Sequence, residues 1–191
     1  MSKSLITKQA LARGLKTLAT RVNFDKITVA DITDECGLNR QTFYYHFEDK
    51  LDLLHWIYDN EAFALTSDIN LDNWNEKFRD MLKLIKNDKM FYMNTIKCSN
   101  DYFEEYLLDI FQKLFEKGIE DVGIPNKLEA EDKMLLARFF SHGLSGIVIE
   151  WALGGMTEDE DAFSEKLLQL AESSQRTMYL RYKNIQNQSG V

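Results

Sequence analysis

The stretch TVADITDECGLNRQTFYYHFEDK, residues 28–50, decides the fold of this chain. Its first part predicts a short helix, because Thr28 is a good N-cap and Asp31 stands at the third helical position, where a carboxylate can answer the cap. Gly37 follows, at a point where a left-handed backbone conformation would end that helix. Asn39 can then cap a second helix. Two short capped helices joined by a glycine turn indicate a helix-turn-helix.

The second helix of this motif has a buried and an exposed face. Phe43 and Phe47, four residues apart, are expected to anchor it to the core. A recognition helix lies in the major groove of DNA and reads base edges with residues near its N-terminus. Arg can pair bidentately with guanine, Gln with adenine, and a Thr methyl group can contact a thymine methyl group. The residue types at this end predict base reading by Arg40, Gln41 and Thr42.

A second set of residues is expected to contact the phosphate backbone. Helix N-termini present backbone N–H groups that favour a phosphate, which applies at Thr28 and Lys50. Tyr44 and His46 offer a hydroxyl group and a ring N–H. Two roles are open for Tyr45, since a tyrosine in a small helical domain packs in the core about as often as it contacts phosphate. The predicted phosphate contacts are Thr28, Tyr44, Tyr45, His46 and Lys50.

Over roughly residues 5–55 the sequence resembles the TetR family of transcriptional regulators. The resemblance is carried by TVADITDECGLNRQTFYYHFEDKLDLL, with a Thr-Val start, a Gly turn, a Thr-Phe-Tyr-x-x-Phe recognition helix and a Lys that opens the next helix. At Asn39 the family often has Ser, but Asn caps a helix equally well. Base-reading positions vary within the family. The family's phosphate contacts match Thr28, Tyr44, His46 and Lys50.

The resemblance implies an all-α fold. It implies a three-helix helix-turn-helix head over residues 1–48 and a larger helical domain for ligand binding and dimerisation over residues 49–191. A single proline, Pro125, and the lack of an alternating strand pattern agree with this fold class. A twofold homodimer would bring two heads onto a palindromic operator in double-stranded DNA, at a spacing of about 34–36 Å.

The charge of the chain is unevenly distributed. Residues 1–50 carry eight Lys and Arg side chains against six Asp and Glu side chains, which gives +2. The whole chain has a formal net charge of −8, so the remainder carries −10. The less acidic end can approach the phosphates while the acidic body faces away, and the affinity for DNA should fall steeply with salt.

Several classes of protein are disfavoured by the sequence. It has no Gly-rich phosphate loop, no nucleophile elbow and no metal-ligand spacing, so we expect neither an enzyme nor a metal or cofactor site. Cys36 and Cys98 lack Cys-x-x-Cys spacing, and no run approaches the roughly 20 apolar residues of a membrane span. We expect a reduced, cytoplasmic regulator, by default a repressor, without a membrane segment.

The middle helices are where TetR-type proteins typically hold a small-molecule effector. Aromatic and Met side chains at helical spacing are more often core than pocket lining, and both readings stay open here. Asn94, Lys97 and Tyr102 are polar groups that could orient a ligand. His142 lies in an apolar helix, where a hydrogen-bonded core or interface role is the commoner one. The predicted pocket residues are Phe78, Phe91, Tyr92, Phe103, Tyr106 and His142.

The two C-terminal helices are predicted to form the dimer interface, as the resemblance implies. The first, from about residue 129 to 153, is apolar around much of its circumference, and its glycines allow close helix approach. Thr157 and Glu160 are expected to form a capping box for the last helix, which runs to about residue 184. The predicted interface residues are Phe140, Gly143, Ile147, Trp151, Leu167, Leu170 and Met178.

The segment FFSHGLSGIVIEWALGGM, residues 139–156, is similar to a branch of TetR-type proteins that includes the activator of dihydroxyacetone kinase operons. In that activator a partner protein senses the sugar, so an internal ligand pocket is not required. The alternative to a small-molecule effector is therefore a co-regulator controlled by a partner protein. A filled interior and an exposed apolar patch on the C-terminal domain would favour this alternative.

Overall fold

The structure is a computed structural model that describes residues 2–68, 73–121 and 130–189. Within these ranges the chain is helical and has no strand, which confirms the all-α prediction. None of the described helices is both long and apolar enough to cross a membrane. The helices are α1 (Lys3–Ala19), α2 (Val29–Glu35), α3 (Arg40–His46), α4 (Lys50–Thr66), α5 (Trp74–Asn87), α6 (Lys89–Ile96), α7 (Asn100–Asp121), α8 (Ala130–Leu153) and α9 (Glu160–Ser189), with a 3-10 turn (Phe24–Lys26) after α1.

Helices α1 to α3 form the head, and its local signals act as the sequence predicts. The Thr28 side chain accepts from the backbone N–H of Asp31, and the Asp31 carboxylate accepts from the backbone N–H of Thr28, which completes the capping box of α2. Gly37 has a φ of 65°, in the left-handed region. The N–H of Leu38 donates back to the carbonyl of Thr33 at 2.9 Å, so the glycine turn also satisfies the end of α2.

Helix α1 crosses α2 at close range. Gly14 is buried at the crossing, and a Cβ atom placed there would collide with Sγ of Cys36 and lie 3.3 Å from the carbonyl oxygen of Ile32. The Cys36 thiol donates to the carbonyl of Ala10 at 3.1 Å. Because residue 14 has no Cβ atom, α1 and α2 can approach this closely.

Helices α4 to α9 form the body, and the hydrophobic core runs without a break from the head into it. Helix α4 connects the two, because it packs against α1 of the head and against α5 and α7 of the body. Leu15 of α1 and Leu53 and Leu54 of α4 are fully buried where head and body meet. Helix α7 packs along α8, and α5 packs along α9. The predicted division at residue 48 stays a prediction, since the core is shared.

Helix α9 begins at Glu160, but the predicted capping box of Thr157 and Glu160 is wrong. The cap is Asp159, whose Oδ1 accepts from the N–H of Ala162 at 3.0 Å. The carboxylate of Glu160 pairs instead with Lys86 of α5. The Glu160 carboxylate, which the local sequence predicted for the cap, therefore forms an ion pair with a distant helix instead.

Candidate DNA-binding surface and its link to the body

Helix α3 is held by its cap and by two aromatic anchors. The Oδ1 atom of Asn39 accepts from the backbone N–H of Thr42 at 2.7 Å and from its hydroxyl group at 2.9 Å. Phe43 and Phe47 are 0% and 3% exposed, as predicted for the inner face. Because the Thr42 hydroxyl donates its proton to the cap, Thr42 has no hydrogen-bond donor left for a base and can offer its methyl group.

The outer face of α3 presents polar and aromatic side chains to solvent. Arg40 and Gln41 are exposed at its N-terminal end. Tyr44 is 59% exposed and Tyr45 is 82% exposed. The ring of Tyr45 meets that of His46 edge-on at 4.9 Å between centroids, so it does not pack in the core. Of the two readings of Tyr45, the structure therefore excludes the packed one and leaves the ring accessible to a phosphate.

The N-terminus of α2 is occupied by its own capping carboxylate. Both donors of Thr28 go to Asp31 Oδ2, the hydroxyl group at 2.7 Å and the backbone N–H at 2.8 Å. These hydrogen bonds, helped by the positive charge of Arg40, hold the pKa of Asp31 below its usual value. A phosphate contact by Thr28 would have to displace this carboxylate.

The Lys50 side chain ties the loop after α1 to the start of α4. Its ammonium group donates to the carbonyls of Phe24 at 2.7 Å, Asp25 at 3.0 Å and Ile27 at 2.9 Å, and lies 4.7 Å above the Phe24 ring. All three of its donors are therefore used within the head. A phosphate contact by this ammonium group does not fit the structure, and the predicted contact at Lys50 is left to its backbone N–H.

A second tether reaches the same loop from α6. The Oδ1 atom of Asn94 accepts from the N–H of Phe24 at 2.9 Å, and its Nδ2 donates to the carbonyls of Ala19 at 3.0 Å and Val22 at 2.7 Å. The idea that Asn94 orients a ligand does not fit, because its amide group is engaged with the backbone of the head. The nearest of these partners is 70 positions away, and no sequence motif marks the pair.

An ionic network joins three helices behind the head. Lys16 of α1 pairs with Glu61 of α4 and with Asp88 at the start of α6, and the Tyr92 hydroxyl donates to Glu61. Burial lowers the pKa of Lys16, but the charges and hydrogen bonds of the two carboxylates raise it by more, so the pKa lies above its usual value. Burial and the charge of Glu61 raise the pKa of Tyr92 well above its usual value, so Tyr92 remains a donor. The sequence did not single out this network.

The connector α4 is also joined to α7. The Tyr102 hydroxyl donates to Asp59 at 3.0 Å, and the Tyr102 ring stacks on that of His55 at 3.6 Å between centroids. Burial and the neighbouring Asp59 carboxylate raise the pKa of Tyr102 to about 12. Tyr102 was predicted as a group that orients a ligand, and the structure shows it bound to α4.

Four of the six predicted pocket residues pack around Tyr58 in the centre of the body. The Tyr58 ring centroid lies 6.2 Å from that of Phe91, 5.9 Å from Tyr92, 5.2 Å from Phe103 and 6.0 Å from Tyr106. None of these side chains is more than 8% exposed. They form core in this structure, and a ligand among them would have to move the rings.

The other two predicted pocket residues lie elsewhere. Phe78 of α5 is 3% exposed and packs against Phe111 at 5.7 Å between ring centroids. The His142 side chain is 55% exposed, with Nδ1 4.0 Å from Glu104. The assignment of His142 to an internal pocket is wrong, because this position falls on the face of α8 that is turned away from the core.

This outer face of α8 exposes several apolar side chains. Leu135 and Phe139 are 65% and 66% exposed, and Leu170 of α9 is 59% exposed. A Cβ atom added at Gly143 or Gly146 would have no neighbour within 4 Å, so the backbone itself is accessible there. Exposed apolar patches of this kind commonly mark an interaction surface. The α8 stripe is formed by Leu135, Phe139, Gly143, Gly146 and Ile147.

Three of the remaining predicted interface residues are covered within the chain to different degrees. Phe140 is half-buried and packs against Phe115 at 5.4 Å between ring centroids. Trp151 and Leu167 are only 5% and 7% exposed, so they do not fit the predicted interface; the Trp151 ring stacks on that of Phe163 of α9 at 5.2 Å between centroids. The Met178 side chain lies outside the described residues.

Two families match this chain. Residues 13–57 match the family described as bacterial regulatory proteins, tetR family, and residues 72–173, more than half of the chain, match the transcriptional regulator C-terminal region. The HTH-type dhaKLM operon transcriptional activator DhaS of Lactococcus lactis subsp. lactis is 31% identical over 123 residues. That match covers 63% of this chain and 65% of the relative, just under two thirds of its length.

Solved structures share the fold. The dihydroxyacetone kinase operon activator DhaS has a TM-score of 0.74 at 22% identity, over 89% of this chain and 96% of that one. The repressor FadR of Thermus thermophilus, solved in complex with lauroyl-CoA, has a TM-score of 0.57 at 16% identity, over 86% and 92% of the two chains. With an exposed, capped recognition helix and matches to both halves, the chain belongs to the TetR family of transcriptional regulators, which bind DNA and are not enzymes.

Proposed function

We propose that this protein is a homodimeric, sequence-specific regulator whose affinity for a palindromic operator is controlled by a small molecule bound in the body. The observation that carries DNA reading is the anchored α3 helix with its exposed N-terminal end. Arg40 and Gln41 stand free to pair with base edges, and the Thr42 methyl group can contact thymine. Tyr44, Tyr45 and His46, further along α3, would contact phosphate groups.

Dimerisation is supported by the α8 stripe. One seven-residue recognition helix contacts few bases, whereas two heads related by a twofold axis read successive half-sites about 34–36 Å apart. Leu170 of α9, which is 59% exposed, is proposed to join the same interface. A twofold axis through the stripe would leave both α3 helices free to face the DNA.

Control by a ligand is supported by the way the head is attached. Lys50 and Asn94 hold the loop before α2 from two different helices of the body, so a shift of α4 or α6 moves the head. A ligand regulates only if it binds one arrangement better than another. Repression would follow where the operator overlaps a promoter, whereas the Lactococcus relative is named as an activator.

A second candidate is a co-regulator controlled by a partner protein. The observation that favours it is the packed set of rings around Tyr58, which occupies the region predicted for a ligand. The exposed α8 stripe would then bind the partner instead of a second copy.

The test is selection of bound sequences from a random duplex library with the purified chain at two salt concentrations. We expect an enriched palindrome whose half-sites lie about 10 base pairs apart, with affinity that falls steeply as salt rises. Gln41→Ala should alter the selected sequence, and Gln169→Ala, on α9, should not. Failure to enrich any sequence at low salt would contradict this proposal and favour partner control.

A further inference from the structure

A groove of about 220 Å³ opens on the surface where the head meets the body. One wall is the C-terminal end of α1 with the loop that follows it, and the other wall is one face of α6. Ala19 and Val22 supply apolar surface on the first wall, and Met90 and Met93 supply it on the second. Met90 is 53% exposed, so this apolar surface is accessible from solvent.

The polar groups of the groove differ in how far they are already used. The amide group of Asn94, which lies on the α6 wall, makes three hydrogen bonds to the head. The Arg21 guanidinium at one end pairs with Glu35. The ammonium group of Lys97 makes no ion pair with any residue that the structure describes. The groove therefore combines a methionine-lined wall with an unneutralised cation.

We infer that this groove binds a small amphipathic carboxylate. Its apolar part would lie against Met90 and Met93, and its carboxylate would meet Lys97. A cavity of about 150 Å³ holds benzene, so this groove has room for a ring or a short chain that bears a carboxylate. Thioether sulfurs make favourable contacts with aromatic rings, and methionine side chains adapt to apolar chains. The same wall can therefore bind either an aromatic or an aliphatic carboxylate. The binding site is separate from the rings around Tyr58.

The ligand would contact both walls, and so it would act on the joint that Asn94 forms. Because it gains contacts only when the end of α1 and α6 lie side by side, it stabilises the arrangement of head and body seen here. Binding in the groove does not depend on the function proposed above. Its effect on DNA affinity does rest on that function.

The experiment follows the methionine methyl groups of the full chain by NMR after carbon-13 labelling, with Met90→Leu and Met93→Leu to assign the signals. The probes are phenylacetate, hexanoate and the neutral phenylacetamide. We expect saturable shifts of Met90 and Met93 with both carboxylates, with a dissociation constant on the order of 1 mM. Met81 and Met156, each 2% exposed in the core, should not shift. The ratio of the two carboxylate affinities distinguishes a ring from a chain.

Two variants test the role of the cation. Lys97→Gln should weaken phenylacetate binding by about two- to fivefold, the range of an exposed ion pair, and leave phenylacetamide unchanged. Lys166→Gln, an exposed lysine of α9, should change neither. Equal affinity for acid and amide, an unaffected Lys97→Gln variant, or shifts confined to Met81 and Met156 would each overturn the inference. No DNA is present, so these outcomes are independent of whether an operator is selected.

Discussion

At the scale of single residues, the position of the head depends on side chains that never reach the DNA. Lys50→Met keeps the aliphatic stem but removes the ammonium group that serves three carbonyls. Hydrogen bonds from a charged donor contribute more than neutral ones, so we expect the free energy of unfolding to fall by about 2–3 kcal/mol in urea denaturation. Lys26→Met, in the same loop but exposed, should change it by no more than about 0.5 kcal/mol. Equal effects of the two variants would show that Lys50 is not a tether.

Asn94 makes a second test at this scale. Asn94→Ala leaves the N–H of Phe24 and the carbonyls of Ala19 and Val22 without their protein partner, and should destabilise the chain by about 1–3 kcal/mol. We expect faster hydrogen exchange at Phe24 in particular. Asn94→Asp keeps the acceptor for Phe24 but sets a carboxylate against two carbonyls, so it should be no better than Ala. A fully stable Asp variant would mean that the Nδ2 bonds contribute nothing.

The contrast between these tethers and the caps explains what the sequence could predict at this scale. The cap partners of Thr28 and Asn39 lie three positions away, and Gly37 acts through its own backbone, so local sequence determines them. Lys50 finds its carbonyls 23 to 26 positions away, and Lys16 finds Glu61 at 45 positions. Pairs of this kind depend on how helices cross, which a residue pattern does not encode.

At the scale of elements, substitutions at different positions of α3 should affect DNA affinity and sequence specificity separately. Gln41→Ala should relax preference at one base position, because a good bidentate pair is worth about 1–3 kcal/mol of discrimination. Tyr44→Phe should weaken binding to all sequences by a similar factor, since a phosphate contact carries no sequence information. The measurement is competition between the selected operator and single-base variants of it. A uniform loss for Gln41→Ala would contradict its base-reading role.

The seam between α5 and α9 should make stability sensitive to acid. Asp161 lies 2.9 Å from Lys83 and 3.3 Å from Arg79. The hydrogen bond from Lys83 is the main reason that the pKa of Asp161 is below its usual value, and the bond from Lys86 does the same for the pKa of Glu160. Because the folded state binds these protons less tightly than the unfolded state, the stabilisation is present above the ordinary carboxylate pKa of about 4.

This stabilisation is lost as pH falls through the depressed pKa of the folded state. Asp161→Asn should therefore be less stable than the parent chain at neutral pH, and the difference should vanish in acid. Denaturation by urea across a pH series measures it. Asp80→Asn, an exposed position of α5 without an ion pair among the described residues, is the matched control. A difference that persists unchanged at low pH would rule out the ionic explanation.

At the scale of the whole molecule, composition indicated a buried, apolar α8 but not which side meets which neighbour. Trp151 and His142 illustrate the difficulty. The tryptophan is inside, stacked on Phe163 of α9 at 5.2 Å between ring centroids, and the histidine is outside beside Glu104. When apolar residues surround a helix, its hydrophobic pattern has no preferred direction, and the packing of α6 and α7 against it decides which side is buried. The same packing leaves the α8 stripe uncovered.

The last prediction concerns dimerisation through the α8 stripe. Leu135→Glu combined with Phe139→Glu should leave the protomer folded, because both side chains are mostly exposed in it. Across a twofold axis the new carboxylates would face each other, and like charges at an interface cost several kcal/mol. We expect the dimer dissociation constant to rise by about 100-fold or more in sedimentation experiments, and operator affinity to fall with it.

Ile6→Glu on α1 adds one such charge at a site that is 51% exposed outside the stripe, and this variant should remain dimeric. The comparison separates a charge effect from an interface effect. If the double variant stayed dimeric and kept its operator affinity, the α8 stripe would not join two copies of the chain. The exposed apolar side chains of the stripe would then be covered by another protein. That result would favour control by a partner protein over control by a small molecule.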